Sequence, residues 1–170
     1  MPRTRRAGVR THVPWDSPLA AALLLAALLP ALSAPPVYAS MAKAKVTAAG
    51  QVFSVDVATE AHDQARGLGG RKHLGPGDGM VFVYPEKSRY TFWMKDMLIP
   101  IDILWLDNLR IVHIAHRVPF PKPGTAESAL PTYAPEEPAN IVLEIAAGRA
   151  KELGLREGDQ VAIDFSATGR

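Results

Sequence analysis

Short apolar segments separated by turn-forming residues are the feature that most constrains the fold of this chain. Residues 51–58, QVFSVDVA, alternate apolar and polar side chains with a period near two, which is typical of a strand. Other stretches of strand length follow, and Gly, Pro, Asp or Asn lie at or near most of their ends. They are 80–84, 89–94, 101–106, 111–118, 139–145 and 160–165. The sequence therefore predicts about seven short strands.

Two short helices are predicted between these strands. Thr59 offers an N-cap for a helix over 60–68, and several glycines end it. Residues 147–153 form one or two further helical turns. Because most of the strands are too apolar to leave one face in water, we predict a mostly β (α+β) domain. Its expected form is a compact, closed or nearly closed, antiparallel-rich β-barrel-like fold.

The first 39 residues have the order of a secretory signal peptide. Four arginines precede an uncharged run of 14 residues at 19–32, and small residues follow it up to Ala39. A transmembrane helix needs roughly 20 apolar residues, and this run is shorter and interrupted by proline. We therefore predict cleavage after Ala39, no stable membrane insertion afterwards, and a periplasmic or extracellular location.

The chain beyond the leader is expected to hold one domain. We assign an N-terminal segment to 40–50, a single globular domain to 51–165 and a C-terminal tail to 166–170. Residues 40–170 carry 15 basic and 16 acidic side chains, so the high isoelectric point of the whole chain, 9.0, comes from the leader. This balance argues against a nucleic-acid partner, which needs a clustered basic surface. The absence of cysteine excludes disulfides and a thiol nucleophile.

Charged residues occur inside the most apolar segment that follows the leader, TFWMKDMLIPIDILWL at 91–106. If the chain around Lys95 is extended, Trp93 and Lys95 share one face, because successive side chains of a strand alternate. Asp102 would lie on the same face as two leucines, and a buried carboxylate is costly unless it is paired or hydrogen-bonded. Asp102 therefore has two interpretations. It makes a structural ion pair or caps loop amides, or it orients the charged groups of a ligand pocket.

Motifs in order across residues 51–164 resemble the domain-of-unknown-function family 192. They are RGL at 66–68 with Arg71, GMVFV at 79–83, FWMK at 92–95, IPIDIL at 99–104, PTY at 131–133, VLE at 142–144, Gly148, LGL at 153–155 and GD at 158–159. FWMK followed by IPIDIL is the most specific part. The chain departs from the family pattern at Gly69 and Gly70, at Asp96 and Met97, and in lacking the loop cysteines that many relatives carry. The resemblance implies a compact β-rich domain, often exported in bacteria, with no established activity.

Aromatic and charged residues among these motifs suggest a ligand pocket. An aromatic wall with convergent cationic groups is a common arrangement for binding small polar ligands. We predict that the pocket takes an anionic or carbohydrate-like ligand and is formed by Arg66, Arg71, Trp93, Lys95, Asp102 and Tyr133. The protein is then a binding or accessory module of the cell envelope rather than an enzyme, with no catalytic residue, cofactor or metal assigned.

Two alternatives from other classes stay open. A hydrolase acting on envelope material would use Asp102 or Glu144 in an open cleft as a carboxyl with a raised pKa. A copper-binding protein would use the thioethers of Met94 and Met97 together with a histidine. No nucleophile elbow, zinc-binding helix motif or phosphate-binding glycine loop occurs in the sequence.

Overall fold

The computed structural model describes residues 41–167, so the predicted signal peptide and the end of the C-terminal tail lie outside the described residues. Within this range the chain forms nine strands and two short α-helices. The elements are β1 (Lys43–Ala48), β2 (Gln51–Ala58), α1 (Ala61–Arg66), β3 (Asp78–Ser88), β4 (Phe92–Trp93), β5 (Ile101–Asp107), β6 (Arg110–Val118), β7 (Thr132–Tyr133), β8 (Ala139–Ala146), α2 (Arg149–Glu152) and β9 (Ala162–Asp164). None of the helices in this range is long and apolar enough to cross a membrane.

Seven of the strands form one sheet in the order β6-β5-β8-β3-β2-β1-β9. Strands β2 and β3 are parallel and are connected through α1, whereas the other neighbours in the sheet are antiparallel. The two-residue strands β4 and β7 form a separate ribbon. The mostly β, antiparallel-rich class with two short helices is therefore confirmed.

The predicted form is a closed or nearly closed barrel, and the sheet is open rather than closed. Strands β6 and β9 are its two edges. Among the described residues, these edges approach each other at one end only. There the backbone N–H of Ile111 donates to the Asp159 carbonyl at 2.9 Å, and that of Val161 donates to the Leu109 carbonyl at 2.8 Å. Strand β9 is only three residues long and pairs with β1, so the ladder to β6 does not continue.

Two apolar cores cover the two faces of the sheet. The first includes Phe53, Val55, Val81, Leu104, Leu143, Ile145 and, from α2, Ala150. The second includes Met80, Phe82, Met94, Met97, Ile103, Trp105 and Val142. Because central strands are buried on both faces, β5 is apolar at nearly every position and buried from Ile101 to Leu106. This double burial is why the middle of the sequence lacks a clear alternation.

Some element boundaries differ from those expected. The N-terminal segment 40–50 contains β1, whose buried alanines and Val46 alternate with exposed Lys and Thr. The strand expected at 89–94 is only two residues long, because a turn in which the Met97 N–H donates to the Met94 carbonyl follows it. Helix α1 begins after Glu60 and has no side-chain cap, so the expected Thr59 cap is absent. The Gln64 side chain connects the helix to β3 by donating to the Val83 carbonyl at 3.1 Å.

Candidate functional site

A row of side chains crosses the second face of the sheet and contains two buried carboxyl groups. The strand register places Asp56 of β2 beside Met80 of β3, and Met80 beside Glu144 of β8. Asp56 is 6% exposed and Glu144 is 5% exposed. Two interstrand spacings separate their backbones by about 10 Å. The two acids therefore share one face but have separate surroundings.

Asp56 is neutralised by two cations. Lys43 Nζ lies 2.5 Å from Asp56 Oδ1, and the Arg71 guanidinium is hydrogen-bonded to Asp56 Oδ2. Burial raises the pKa of Asp56, but the hydrogen bonds from Lys43 and Arg71 outweigh burial and hold the pKa below its usual range. The predicted ligand residue Arg71 thus makes a structural ion pair at the edge of the site.

Glu144 lacks the partners that Asp56 has. Its Oε2 atom is buried without a hydrogen-bond partner among residues 41–167. Burial raises the pKa of Glu144 to about 8, although the positive charge of Arg71 opposes the shift. Its side chain is therefore mainly a neutral carboxylic acid at neutral pH. A buried polar atom without a hydrogen-bond partner is uncommon, which makes Glu144 Oε2 a candidate contact for a ligand.

A small cavity of about 40 Å³ reaches Glu144. Arg66, Trp93 and Lys95 line it together with Phe82, Phe92 and Met97. Trp93 is 44% exposed, and Lys95 Nζ lies 5.4 Å from the centre of its ring, within range of a cation–π contact. A volume above roughly 15 Å³ can hold one water molecule, so this cavity has room for one small polar group.

Two loops hold the charged residues at the cavity. Arg66 is the last residue of α1, and Gly67 turns the chain with a φ of 52° while packing close to the Phe82 ring. Asp96 adopts a φ of 56° in the turn after β4, and its carbonyl accepts a 2.8 Å hydrogen bond from the Gly70 N–H. This backbone bond ties the end of the helix to the turn that carries Lys95.

Asp102 lies on the other face of the sheet. The register pairs Asp102 with Ile145 and Ile103 with Glu144, so Asp102 and Glu144 point in opposite directions. Asp102 Oδ1 accepts the backbone N–H groups of Arg117 at 2.7 Å and Gly148 at 2.9 Å, and its Oδ2 accepts the Ala150 N–H at 2.9 Å. The carboxylate thus caps loop amides, as the structural interpretation expected, and it does not meet Lys95.

The other predicted residues lie on the face of Glu144. Arg66, Trp93 and Lys95 line one cavity, and Arg71 lies beside it. Tyr133 pairs with Phe92 between β7 and β4 and packs against the second core, and it does not line the cavity. Five of the six predicted residues therefore share one face, and Asp102 is separated from them.

Two carboxyl groups of this face were absent from the predicted pocket. Glu144 belongs to the hydrolase alternative rather than to the predicted pocket, and Asp56 is predicted only as a polar residue of a strand. Both stand inside strands between apolar residues, in VLEI and VDV. A carboxylate in such a position is the signal that could have identified them, because burying it is costly without a partner or a function.

The copper alternative lacks the histidine that it required. Met94 and Met97 are both buried in the second core. Histidine is absent from the described residues that line the cavity next to Met97. In the part of the chain from 41 to 167, no group of three His, Cys, Asp or Glu side chains is arranged to hold a metal ion. The two methionines pack as core residues.

Comparison with known proteins connects this architecture to a family. No curated protein matches the chain. A protein of unknown function from Novosphingobium aromaticivorans DSM 12444 is 30% identical, with a TM-score of 0.64 over 76% of this chain and 91% of its own. A candidate transcription regulator from Sinorhizobium meliloti 1021 is 29% identical, with a TM-score of 0.62 over 73% of this chain and 95% of its own. The profile of DUF192, described as an uncharacterized ACR family, matches residues 44–163. The chain therefore belongs to the domain-of-unknown-function family 192.

Proposed function

We propose that this protein is a binding module for a small ligand whose anionic group enters the cavity at Glu144. One observation carries the proposal. Glu144 Oε2 is buried and has no hydrogen-bond partner among residues 41–167, while Arg66, Trp93 and Lys95 surround the cavity that reaches it. Buried polar groups are normally satisfied, so a ligand that supplies the missing partner would stabilise the fold.

The chemistry of the cavity favours an anion. A neutral Glu144 can donate its O–H, and Arg66 and Lys95 carry charged N–H donors, so three donor-bearing side chains line one small space. Trp93 offers an exposed ring beside them, on which the rest of a ligand could pack. The volume of about 40 Å³ suits a carboxylate or a hydroxyl group better than a whole sugar ring.

Binding can be tested by calorimetry and thermal shift with acetate, inorganic phosphate and glucose as probes. We expect an anionic probe to raise the melting temperature, because a ligand that binds only the folded state stabilises it by mass action. Arg66→Gln should weaken that binding about tenfold by removing one charged donor. Lys72→Gln, at an exposed lysine outside the cavity, is the matched control and should leave it unchanged. Equal weakening by both variants, or no binding of any probe, would contradict the proposal.

We also propose that the module is exported, on the strength of the leader predicted at residues 1–39. N-terminal sequencing of the protein recovered from a bacterial host should begin at Ser40. Ala39→Arg should block that processing, because the cleavage site needs a small side chain. A protein that retains residues 1–39 in the cytoplasm would contradict export and would leave the ligand proposal intact.

A hydrolase is the second candidate, and the raised pKa of Glu144 favours it. A carboxyl group with a pKa of about 8 in contact with a cavity could act as a general acid. Asp102 is unsuitable for this role, because three backbone amides occupy its two oxygens. Glycoside hydrolysis ordinarily needs a second carboxylate. Asp56, the other buried acid on this face, is engaged by two cations.

The hydrolase candidate has its own test. Activity on an isolated envelope glycan should fall as the pH rises through about 8, and Glu144→Gln should abolish it. A glycan that binds without being cleaved would reject the hydrolase and support the binding module.

A further inference from the structure

An open groove adjoins the Glu144 cavity. Its volume is about 470 Å³, and the turn after β4 and the loop before β7 form its walls. Leu98 and Phe120, which are 49% and 48% exposed, line it together with Leu130. Large apolar side chains exposed along one groove are typical of a binding surface.

The groove and the cavity are adjacent. Lys95 and Met97 line both of them. The cavity has a buried polar group and cationic residues, whereas the groove wall is largely apolar. A single ligand that spans both spaces would therefore need a polar end and an apolar body.

An exchangeable ion pair lies at the junction. Lys95 Nζ is 2.7 Å from Glu127 Oε2, and both side chains are substantially exposed. Exposed ion pairs contribute little to stability, so a ligand anion can replace the Glu127 carboxylate at Lys95 at small cost. Lys122 also lines the groove and adds positive charge near it.

Because the groove and the cavity share Lys95 and Met97, we infer that the ligand is a long-chain carboxylate, with its carboxylate at Glu144, Arg66 and Lys95 and its alkyl chain along Leu98 and Phe120. The inference rests on the proposed function and adds the chemical class of the ligand. A carboxylate fits the small cavity and can share the proton of a neutral Glu144 side chain. The apolar groove then explains why two large hydrophobic residues remain exposed beside it.

The test uses isothermal titration of the purified protein with butanoate, octanoate and dodecanoate, each below its aggregation concentration. We expect the dissociation constant to fall roughly tenfold for every two methylenes added, because each buried methylene contributes to transfer from water. Dodecanol should bind at least tenfold more weakly than dodecanoate, because it lacks the anion. Dodecyl phosphate binding more tightly than dodecanoate would overturn the assignment of a carboxylate.

The outcomes separate the inference from the proposed function. If butanoate binds as tightly as dodecanoate, the groove takes no alkyl chain and the inference fails, while the anion-binding module stands. If none of these acids binds but another anion does, the inference fails in the same way. If no anion binds, both fail.

Variants locate the chain and the head group separately. Phe120→Ser should weaken the binding of dodecanoate about tenfold and leave the binding of butanoate unchanged. Val52→Ser, at an equally exposed residue outside the groove, should change the affinity for neither acid. Glu127→Gln should tighten the binding of both acids about threefold, because it removes the ion pair at Lys95. Melting curves of each variant establish that it is folded. Equal losses for the Phe120 and Val52 variants would overturn the inference, because they would reflect general surface hydrophobicity.

Discussion

The two buried acids on the second face of the sheet show how neighbouring side chains decide the state of a carboxyl group. Asp56 receives hydrogen bonds from Lys43 and Arg71, and these outweigh the effect of burial on its pKa. Glu144 is similarly buried but lacks such bonds, so burial dominates and raises its pKa to about 8. Opposite pH dependences of stability follow from this difference.

Glu144 should make the protein less stable as the pH rises from about 5 to 8. Below the ordinary pKa of glutamate, about 4.3, the group is neutral in both states. As the pH rises, the unfolded state ionises first and gains stability, until the folded state also ionises near pH 8. The free energy of unfolding should therefore fall by up to about 4 kcal/mol over this range.

Urea denaturation of the wild-type protein and Glu144→Gln at several pH values checks this expectation. The free energy of unfolding of the variant should lack this decline between about pH 5 and 8, because the glutamine side chain does not titrate. The charged and titratable groups nearby are Arg66, Lys95, Arg71 with Asp56, and Tyr84. Burial, and then the proximity of Tyr90 and Glu144, raise the pKa of Tyr84 to about 12, so Tyr84 stays neutral in this range. Parallel curves for the two proteins would contradict the assignment.

Asp56 should stabilise the protein at neutral pH and lose this effect in acid. Its folded pKa is lowered, so its contribution is present above the ordinary aspartate pKa of about 4 and is lost as the pH falls through the folded value. Asp56→Asn should lower the free energy of unfolding at pH 7 by about 2 kcal/mol. The difference from wild type should shrink as the pH drops below about 4. Glu136→Gln, at an exposed acid, is the control and should have little effect at either pH.

At the scale of elements, Asp102 joins the end of β6 to the start of α2. It accepts N–H groups from Arg117, whose φ is 50°, and from Gly148, whose φ is 89°, as well as from Ala150. The buried carboxylate thus satisfies three amides in a region where the backbone leaves regular structure. Its role is to hold two elements together, and it lies on the face opposite the candidate site.

Asp102→Asn should therefore affect the stability of the protein, whereas Lys95→Met should affect its affinity for a ligand. Asp102→Asn turns an amide NH₂ toward backbone donors, so it should lower the free energy of unfolding by about 3 kcal/mol while the folded protein binds an anionic ligand normally. Lys95→Met should leave the free energy of unfolding nearly unchanged and weaken ligand binding about tenfold. Chemical denaturation and calorimetry on both variants measure the two quantities. A loss of affinity in folded Asp102→Asn would show that Asp102 acts in binding after all.

The strands pack closely around Gly79 of β3. A Cβ atom added there would lie 2.5 Å from the Glu144 carbonyl oxygen, and 3.2 and 3.3 Å from the side chains of Val55 and Ile145. Gly79→Ala should lower the free energy of unfolding by about 2–3 kcal/mol, because backbone and core atoms must move. Gly77→Ala is the matched control, since its nearest neighbour would be 3.9 Å away. Equal stability of the two variants by denaturant titration would contradict this packing argument.

At the scale of the whole molecule, the sheet separates stability from the candidate site. The first face carries a closed apolar core, with α2 and Asp102 at one end. The second face combines a core with the Glu144 cavity and the groove beside it. Because the two faces share only the strands between them, changes at the rim of the cavity should leave the first core intact.

The central strands could be predicted from sequence because their hydrophobic segments are long and bounded by turns. Strands β5, β6 and β8 lie within one residue of the expected segments. The short strand β4 was overestimated, since a turn formed at Asp96 depends on its contact with Gly70 from another loop. Strand β1 was missed because its small buried alanines give a weak hydrophobic signal. Whether the sheet closes fully could not be predicted from the sequence, because edge closure depends on pairing between distant segments.

The β-rich class, the family and most of the residues near the candidate site follow from the amino-acid sequence alone. Its apolar segments, turn residues and FWMK and IPIDIL motifs are local properties of the chain. The three-dimensional fold sets which acid is hydrogen-bonded and which has a buried oxygen without a partner among residues 41–167. Asp102 and Glu144 both lie in apolar strands, but their register directs Asp102 to the backbone amides at α2 and Glu144 to a cavity. Partners supplied by distant parts of the chain set the free energy of a buried charge, so local sequence could not distinguish the two.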